Sequence, residues 1–291
     1  MEEDKLNSPY VNLTASTRAA GLHIAPELTR FVLTRFLRNE ITKTGFTKAL
    51  LGLSGGIDSA LSCYLAAEAL GPENVLAMRM PYRLSSQGSL DHAQLVIDDL
   101  GIASETIDIT PVVEPFFEAS PGISDHRKGN VMARTRMAFL YDRSVTWQGL
   151  VVGTSNKSEL LLGYGTIFGD LASAVNPIGD LYKTQVRQLA RHLGIPQPIL
   201  DKAPSADLVP DQTDEADLGF TYEQVDRLLY LLIDERYAPV DVIEAGFPEA
   251  MVRRVQQMVQ RAHYKRTMPV IPKISGRTIN HDFRYLRDWG Q

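Results

Sequence analysis

The run Leu51-Gly52-Leu53-Ser54-Gly55-Gly56-Ile57-Asp58-Ser59 sets glycines, hydroxyls and a carboxylate where an apolar segment gives way to a helical pattern. Glycines lack Cβ and let backbone N–H groups approach an anion, the start of a helix adds partial positive charge, and Ser54 and Ser59 bring hydroxyl donors. Gly52, Leu53, Ser54, Gly55, Gly56, Ile57, Asp58 and Ser59 are thus expected to cradle phosphate. Asp58 suits that place when a divalent cation is supplied, since Mg²⁺ usually binds through one or two carboxylates together with substrate phosphates. No Gly-Lys-Ser/Thr follows the glycines, and their spacing is not Gly-x-Gly-x-x-Gly, so this is a third kind of phosphate loop.

The elements that must hold this loop can be read on either side of it. Residues 49–53 form a short apolar strand, and residues 59–70 resume a helical pattern that stops at Gly71-Pro72. The alternation continues with strand 75–80, helix 90–100, strand 105–109, helix 130–147, strand 150–152 and helix 183–193. Repeated strand-helix units predict an α/β fold, a doubly wound and mostly parallel sheet with helices on both faces. Before it, Pro26 opens a helix whose apolar residues, Leu28 to Ile41, occupy a broad face. Residues 203–219, rich in Pro, Ser, Asp, Gln and Thr, read as a mobile lid loop with few apolar anchors. Helical patterns at 222–234 and 248–264 follow. The expected organisation is a single domain over residues 1–291, with an N-terminal arm and helix at 1–44 and a basic tail at 265–291.

Composition excludes other classes. Of 291 residues, 44% are hydrophobic and 22% charged, which rules out disorder and collagen-like structure. Thirty Lys and Arg against 35 Asp and Glu give a net charge of −5, which makes nucleic acid an unfavourable partner. The single Cys63 permits no intramolecular disulfide and falls on a helical turn with Ala60 and Ala67, where it reads as packing. The acidic start Met1-Glu2-Glu3-Asp4-Lys5 does not read as a signal peptide, and no apolar run reaches membrane-spanning length, so a soluble cytoplasmic protein without membrane contact is expected. The six histidines show no metal-ligand spacing and read as structural or surface residues.

Ser-Gly-Gly-x-Asp-Ser after an apolar strand resembles the pyrophosphate loop of the N-type ATP pyrophosphatases, which split ATP into AMP and pyrophosphate while activating a carboxyl or carbonyl group. Residues 128–137, 152–159 and 179–184, then Pro204-Ser205-Ala206-Asp207-Leu208 with Asp214-Glu215 and Leu218-Gly219, resemble the NAD⁺ synthetases in order and spacing. The resemblance runs from about Gly45 to Gly219 and returns at Lys265-Arg266. It implies an adenine nucleotide alpha hydrolase-like fold and an enzyme, a ligase forming a C–N bond. ATP would adenylate the nicotinate carboxylate of deamido-NAD⁺ and release pyrophosphate, and ammonia would displace AMP.

The resemblance also assigns roles. Asp58 and Glu159 would be Mg²⁺ ligands, Lys183 would meet ATP phosphate as a catalytic cation, Arg79 would meet the adenine end of ATP, and Thr154 and Ser205 would make its hydroxyl contacts. Asn130, Arg134, Asp170 and Lys265 would bind deamido-NAD⁺, with Asp170 catalytic beside the nicotinate and the incoming ammonia. A homodimer is implied, with the Pro26 helix contributing to its interface or, alternatively, buried in the core. Many ammonia-using members carry Lys and Asp where this chain has Ile167 and Ala174, and residues 163–184 are closer to the synthetase module of the longer glutamine-dependent enzymes. Those enzymes carry a glutaminase domain with a catalytic cysteine, for which this chain has neither the length nor a second cysteine. Free ammonia is the expected donor; a separate glutaminase partner is possible but not indicated.

Simpler readings stand beside these. Glu159 and Lys183 both sit at helix starts, where Glu is favoured by the dipole and Lys is not. Arg134 and Arg136 read equally as surface charges on a long helix. Two rival functions share the loop: another ATP pyrophosphatase of the GMP synthetase or tRNA-thiolating kind, and a nucleotide-binding protein without chemistry. The acidic balance argues against tRNA, and the retained Asp58, Glu159 and Lys183 argue against a non-catalytic binder.

Overall fold

A computed structural model of the chain describes residues 21–205, 214–267, 269–276 and 278. The arm up to residue 20, residues 206–213 of the expected lid and most of the tail lie outside the described residues.

Helix α1 (Pro26–Thr42) begins with proline at its first turn, and Gly45 at φ +84° turns the chain beyond it. Its apolar face divides: Leu37 and Ile41 enter the core while Leu28, Phe31 and Val32 stay more than half exposed. Strand β1 (Lys48–Gly52) lies at the centre of a four-stranded sheet, and helix α2 (Ile57–Leu70) returns from it with ten of its fourteen residues buried. Cys63 is among them, its thiol pushed up to about 12 by burial, consistent with packing and not reactivity.

Strand β2 (Val75–Arg79) pairs parallel with β1, helix α3 (Gln87–Leu100) follows, and β3 (Ala103–Thr106) forms the edge. The apolar Ile107 and Ile109 placed this strand two residues too late in the sequence reading. They lie past its end, although their N–H groups still bond Arg79 and Pro81 carbonyls at 2.9 Å each. Helix α4 (Thr110–Glu118) leads to the long α5 (Asp125–Trp147), which starts five residues earlier than its apolar pattern. Its first turn is polar and contains Gly129, so the start signal is the Ser124 cap and Asp125, not periodicity. Strand β4 (Gly149–Val151) then pairs parallel with the other edge of β1, giving the order β3-β2-β1-β4.

This order puts helices on both faces, as expected. Ala49 and Leu51 point into one cluster with α1, α2 and α3, whereas Leu50 points into the opposite cluster with Met132, Met137 and Leu140 of α5. A third cluster joins the later helices. Short α6 (Lys157–Leu162) and α7 (Lys183–His192) precede α8 (Gln197–Asp201), then come α9 (Asp214–Leu218), α10 (Tyr222–Leu229), α11 (Pro239–Glu244) and α12 (Glu249–Arg261). Leu218, Val225, Val252 and Val255 pack in it with Leu162 and Tyr182. The helix expected over 222–234 changes to a π turn at Tyr230–Asp234, closed by Glu235 N–H donating to the Tyr230 carbonyl at 3.0 Å.

The far end of the expected lid differs from a mobile loop. Asp214–Leu218 is helical, with Asp214 and Leu218 buried, and Asp214 N–H bonds the Pro204 carbonyl at 2.9 Å. Few apolar residues were visible there, but Leu218 alone suffices to seat the turn in the helical cluster.

The order of strand addition reverses between β1 and β4, and crevices outside the carboxyl ends of strands at such a switch point are where open α/β sheets bind ligands. Gly55 turns the chain there at φ +75°, and a Cβ on it would overlap the Ser89 carbonyl oxygen on α3. Gly55→Ala is therefore expected to lower unfolding stability by roughly 1–3 kcal/mol, the usual cost of forced overpacking. Urea denaturation checks this, and an unchanged midpoint would count against the close approach.

Candidate active site

A cavity of about 770 Å³ opens at the switch point. Its floor is the β1–α2 loop. Ser59 Oγ accepts from Ser54 N–H at 3.2 Å and donates to the Gly56 carbonyl at 3.0 Å, and Gly56 N–H reaches Ser54 Oγ at 3.3 Å. Gly56, with no side chain, occupies the cap of α2, so the helix start faces the cavity without a side-chain cap.

Deepest in this wall, Lys183 is 2% exposed and its ammonium lies between two carboxylates. It forms an ion pair with Asp58 and a second with Glu159 Oε1 at 3.3 Å. Each partner is itself fixed. Asn156, fully buried, donates from Nδ2 to Asp58 Oδ1 at 2.9 Å and caps α6 by accepting from Glu159 N–H at 3.0 Å, while Glu159 Oε2 accepts from Asn156 N–H at 3.2 Å. Asp214 closes the group, accepting from Tyr164 at 3.1 Å and Tyr222 at 3.3 Å. The Tyr222 ring lies 5.2 Å from the Lys183 ammonium.

These charges do not balance. Burial pushes the Glu159 carboxyl up, with the charge of Asp58 adding to the shift and Lys183 opposing it. Asp214 is raised for the same first reason. Burial works against the charged form of Lys183, but the attraction of Asp58 and Glu159 prevails and raises it. Three carboxylates crowd around one ammonium, a donor set with room for further positive charge. No group of three or more metal-ligating side chains is present among the described residues. Two carboxylates beside a phosphate loop nonetheless fit Mg²⁺, which leaves its remaining positions to phosphate and water.

The other end of the cavity is built on the 163–170 turn. Thr166 joins both sides of it, donating from N–H to Asp170 Oδ1 at 2.7 Å and from Oγ1 to Asn130 Oδ1 at 2.8 Å. Lys265 donates to the Gly163 and Gly165 carbonyls, both at 2.8 Å. Burial in the cavity wall raises the Asp170 carboxyl, against the Thr166 N–H bond and the nearby Lys265.

Of the residues singled out in the sequence, all of the loop except Gly55 lines this cavity, together with Arg79, Asn130, Thr154, Glu159, Asp170, Lys183, Ser205 and Lys265. Arg79 bonds Gln94 at 2.6 Å through Nη1, and its buried Nε has no partner among the described residues. Arg134 lies outside the cavity wall, exposed, with Nε 3.2 Å from the Ile167 carbonyl. Ile167 thus meets Arg134 through its backbone, independently of its side chain.

Several polar residues escaped notice as site members. Asn156 had a visible signal, the Asn-x-x-Glu spacing of a capping box, but nothing local ties it to Asp58, 98 positions away. Arg136, read as a surface charge, lines the cavity and donates to the Met80 carbonyl at 3.0 Å. His126, read as structural or surface, lines it also, 3.1 Å from Asn130 Nδ2. Lys202 reaches Ser89 Oγ at 2.7 Å from the opposite rim.

Comparison with known proteins agrees with this geometry. A sequence model of the family described as NAD synthase matches residues 30–269. The chain is 61% identical over 272 residues to an NH(3)-dependent NAD(+) synthetase of Chlorobium phaeovibrioides, covering 94% of this chain and 98% of that protein. It is 59% identical over 268 residues to the enzyme of the same description from Chlorobaculum parvum, covering 92% and 97%. Among solved structures, the NMN synthetase of Francisella tularensis superposes with a TM-score of 0.75 at 32% identity, covering 86% of this chain and 100% of that one. The NH3-dependent NAD synthetase of Campylobacter jejuni superposes at 0.73 and 33% identity with the same coverage. With the family pattern running through nearly every described element and its polar positions gathered in one cavity, the chain belongs to the NAD synthase family.

Proposed function

We propose that the chain uses ATP to amidate deamido-NAD⁺ with free ammonia, releasing AMP and pyrophosphate. The observation that carries this reading is the buried Lys183 between Asp58 and Glu159 at the mouth of a phosphate loop, with Asp170 at the other end of the same cavity. The names of the relatives support the substrate, and the one buried cysteine gives no nucleophile for releasing ammonia from glutamine.

The nicotinate carboxylate and ATP are both anionic, so the site must offset their repulsion and align the carboxylate oxygen with the α-phosphorus. The loop N–H groups and the α2 start take the leaving pyrophosphate. Asp58 and Glu159 would hold Mg²⁺, which when bound supplies positive charge to phosphate oxygens. Lys183, kept charged by its carboxylate neighbours, adds a fixed cation. Arg79 lines the cavity wall and would meet the adenosine end, with Thr154 and Ser205 on the same wall for its hydroxyl contacts. Attack by the carboxylate oxygen forms an acyl-adenylate and expels pyrophosphate. Ammonia then adds to the carbonyl carbon, AMP leaves with the former carboxylate oxygen, and Asp170 takes the proton that nitrogen must lose. Asn130 and Lys265 hold the turn that carries Asp170, in reach of the dinucleotide.

The apolar residues exposed on α1, Leu28, Phe31 and Val32, support a homodimer. Light scattering should report a dimer, and replacing Leu28 and Phe31 together by Glu should shift it towards monomer. If the double variant stays dimeric, the interface lies elsewhere, for instance at the exposed Phe116 and Val145.

Protein, ATP, Mg²⁺, deamido-NAD⁺ and an ammonium salt should yield NAD⁺, AMP and pyrophosphate in equal amounts, with xanthosine monophosphate giving none. Glu159→Gln should preserve the fold, because Gln also serves at the third position of a capping box. It should lower turnover on the order of 10²-fold or more, beyond the usual loss from an outer-shell change; wild-type rates would remove Glu159 from the site.

Asp170→Asn should separate the two half-reactions. Pyrophosphate release persists, while NAD⁺ formation falls by about 10²-fold, the scale of a lost proton acceptor. Equal losses of both products would place Asp170 in adenylation instead.

A further inference from the structure

Asp226 lies on α10, fully buried and outside the cavity wall. Its Oδ1 accepts from Ser158 Oγ at 2.5 Å and its Oδ2 from the Thr184 N–H at 2.8 Å. Ser158 Oγ accepts in turn from the Lys183 N–H at 3.0 Å. A single carboxylate therefore ties the residue before Glu159 to the first two residues of α7. The Thr184 side chain and the Lys183 charge also act on it, while its helix neighbours Val225, Leu228 and Leu229 pack into the apolar cluster. Burying a carboxylate there is costly unless it is fully hydrogen-bonded, and apolar side chains of similar size often serve stability as well or better. What an apolar residue would not do is fix the separation of two polar segments.

We infer that Asp226 is a positioning residue, holding Glu159 and Lys183 at the spacing that receives Mg²⁺ and ATP phosphate. The inference rests on the proposed reading of that pair as the ATP site. Ser158 and the Lys183 and Thr184 N–H groups are the contacts through which Asp226 acts; it touches no substrate. Its place on α10 makes the C-terminal helical cluster part of the active-site frame. Rotation of α10 by a fraction of a turn would take Asp226 away from both Ser158 and the Thr184 N–H.

Asp226→Asn keeps the side-chain shape but removes the negative charge and replaces one acceptor oxygen by a donor, so the short Ser158 contact must reverse, with Ser158 Oγ accepting where it had donated. Titration with Mg²⁺ and a non-hydrolysable ATP analogue should show affinity about 10-fold weaker than wild type, the scale of outer-shell substitutions. The KM for deamido-NAD⁺ should stay unchanged. Ser158→Ala should act in the same direction and decides the matter if Asp226→Asn fails to fold. Val255→Ala, a buried cavity in the same helical cluster, should lower the melting temperature without weakening the analogue. Wild-type affinity in both Asp226→Asn and Ser158→Ala would overturn the inference, as would an equal loss in Val255→Ala. Wild-type protein that binds no analogue with Mg²⁺ would overturn the reading of the ATP site, and the inference with it.

Discussion

A lysine ammonium that is almost wholly removed from water is expensive unless opposite charge surrounds it, and Lys183 meets that condition by pairing with Asp58 and Glu159. Three separate connections must converge for the pairing to form: the loop after β1, the segment after β4, and the start of α7. Asn156 holds the first two together, and Ser158 links the second to the third. The same low-dielectric surroundings that make an unpaired charge costly make a correctly placed one effective on an incoming phosphate.

The sheet supplies the frame for this convergence. β1 is buried on both faces between β2 and β4, so its carboxyl end is held by packing on every side. The cavity wall opposite is made of helices and turns held by side-chain contacts, such as Lys265 on the Gly163 and Gly165 carbonyls. On the proposed reading, a loop end held by the sheet and a turn-built opposite end suit a reaction whose first step needs alignment and whose second must admit a small nucleophile.

Much of this was legible in the residues. Gly55 and Gly56 beside two serines announced the tight loop between β1 and α2, and the apolar runs at 49–53 and 75–80 located the central strands because fully buried parallel strands are apolar on both faces. The start of α5 and the limits of β3 were not legible, since a polar first turn and an exposed edge strand carry no strong period. Lys202, Arg136 and His126 were missed for a different reason: each enters the cavity only because chain-distant elements pack beside it. Asp226 is the clearest case. In sequence it is one acidic residue in an amphipathic helix, and only the packing of α10 on α6 and α7 makes its carboxylate a junction.

The chemistry-bearing group joins residues far apart along the chain, with Lys183 and Asp58 separated by 125 positions and Ser158 and Asp226 by 68. Contacts of such sequence separation pay their loop-closure entropy early and are rewarded only when intervening elements have docked. In folding terms, the ion cluster is a product of late assembly and not a nucleus. A chain in which α7 and α10 have not docked keeps these acidic and basic side chains apart and hydrated, and the ion cluster forms only with that docking.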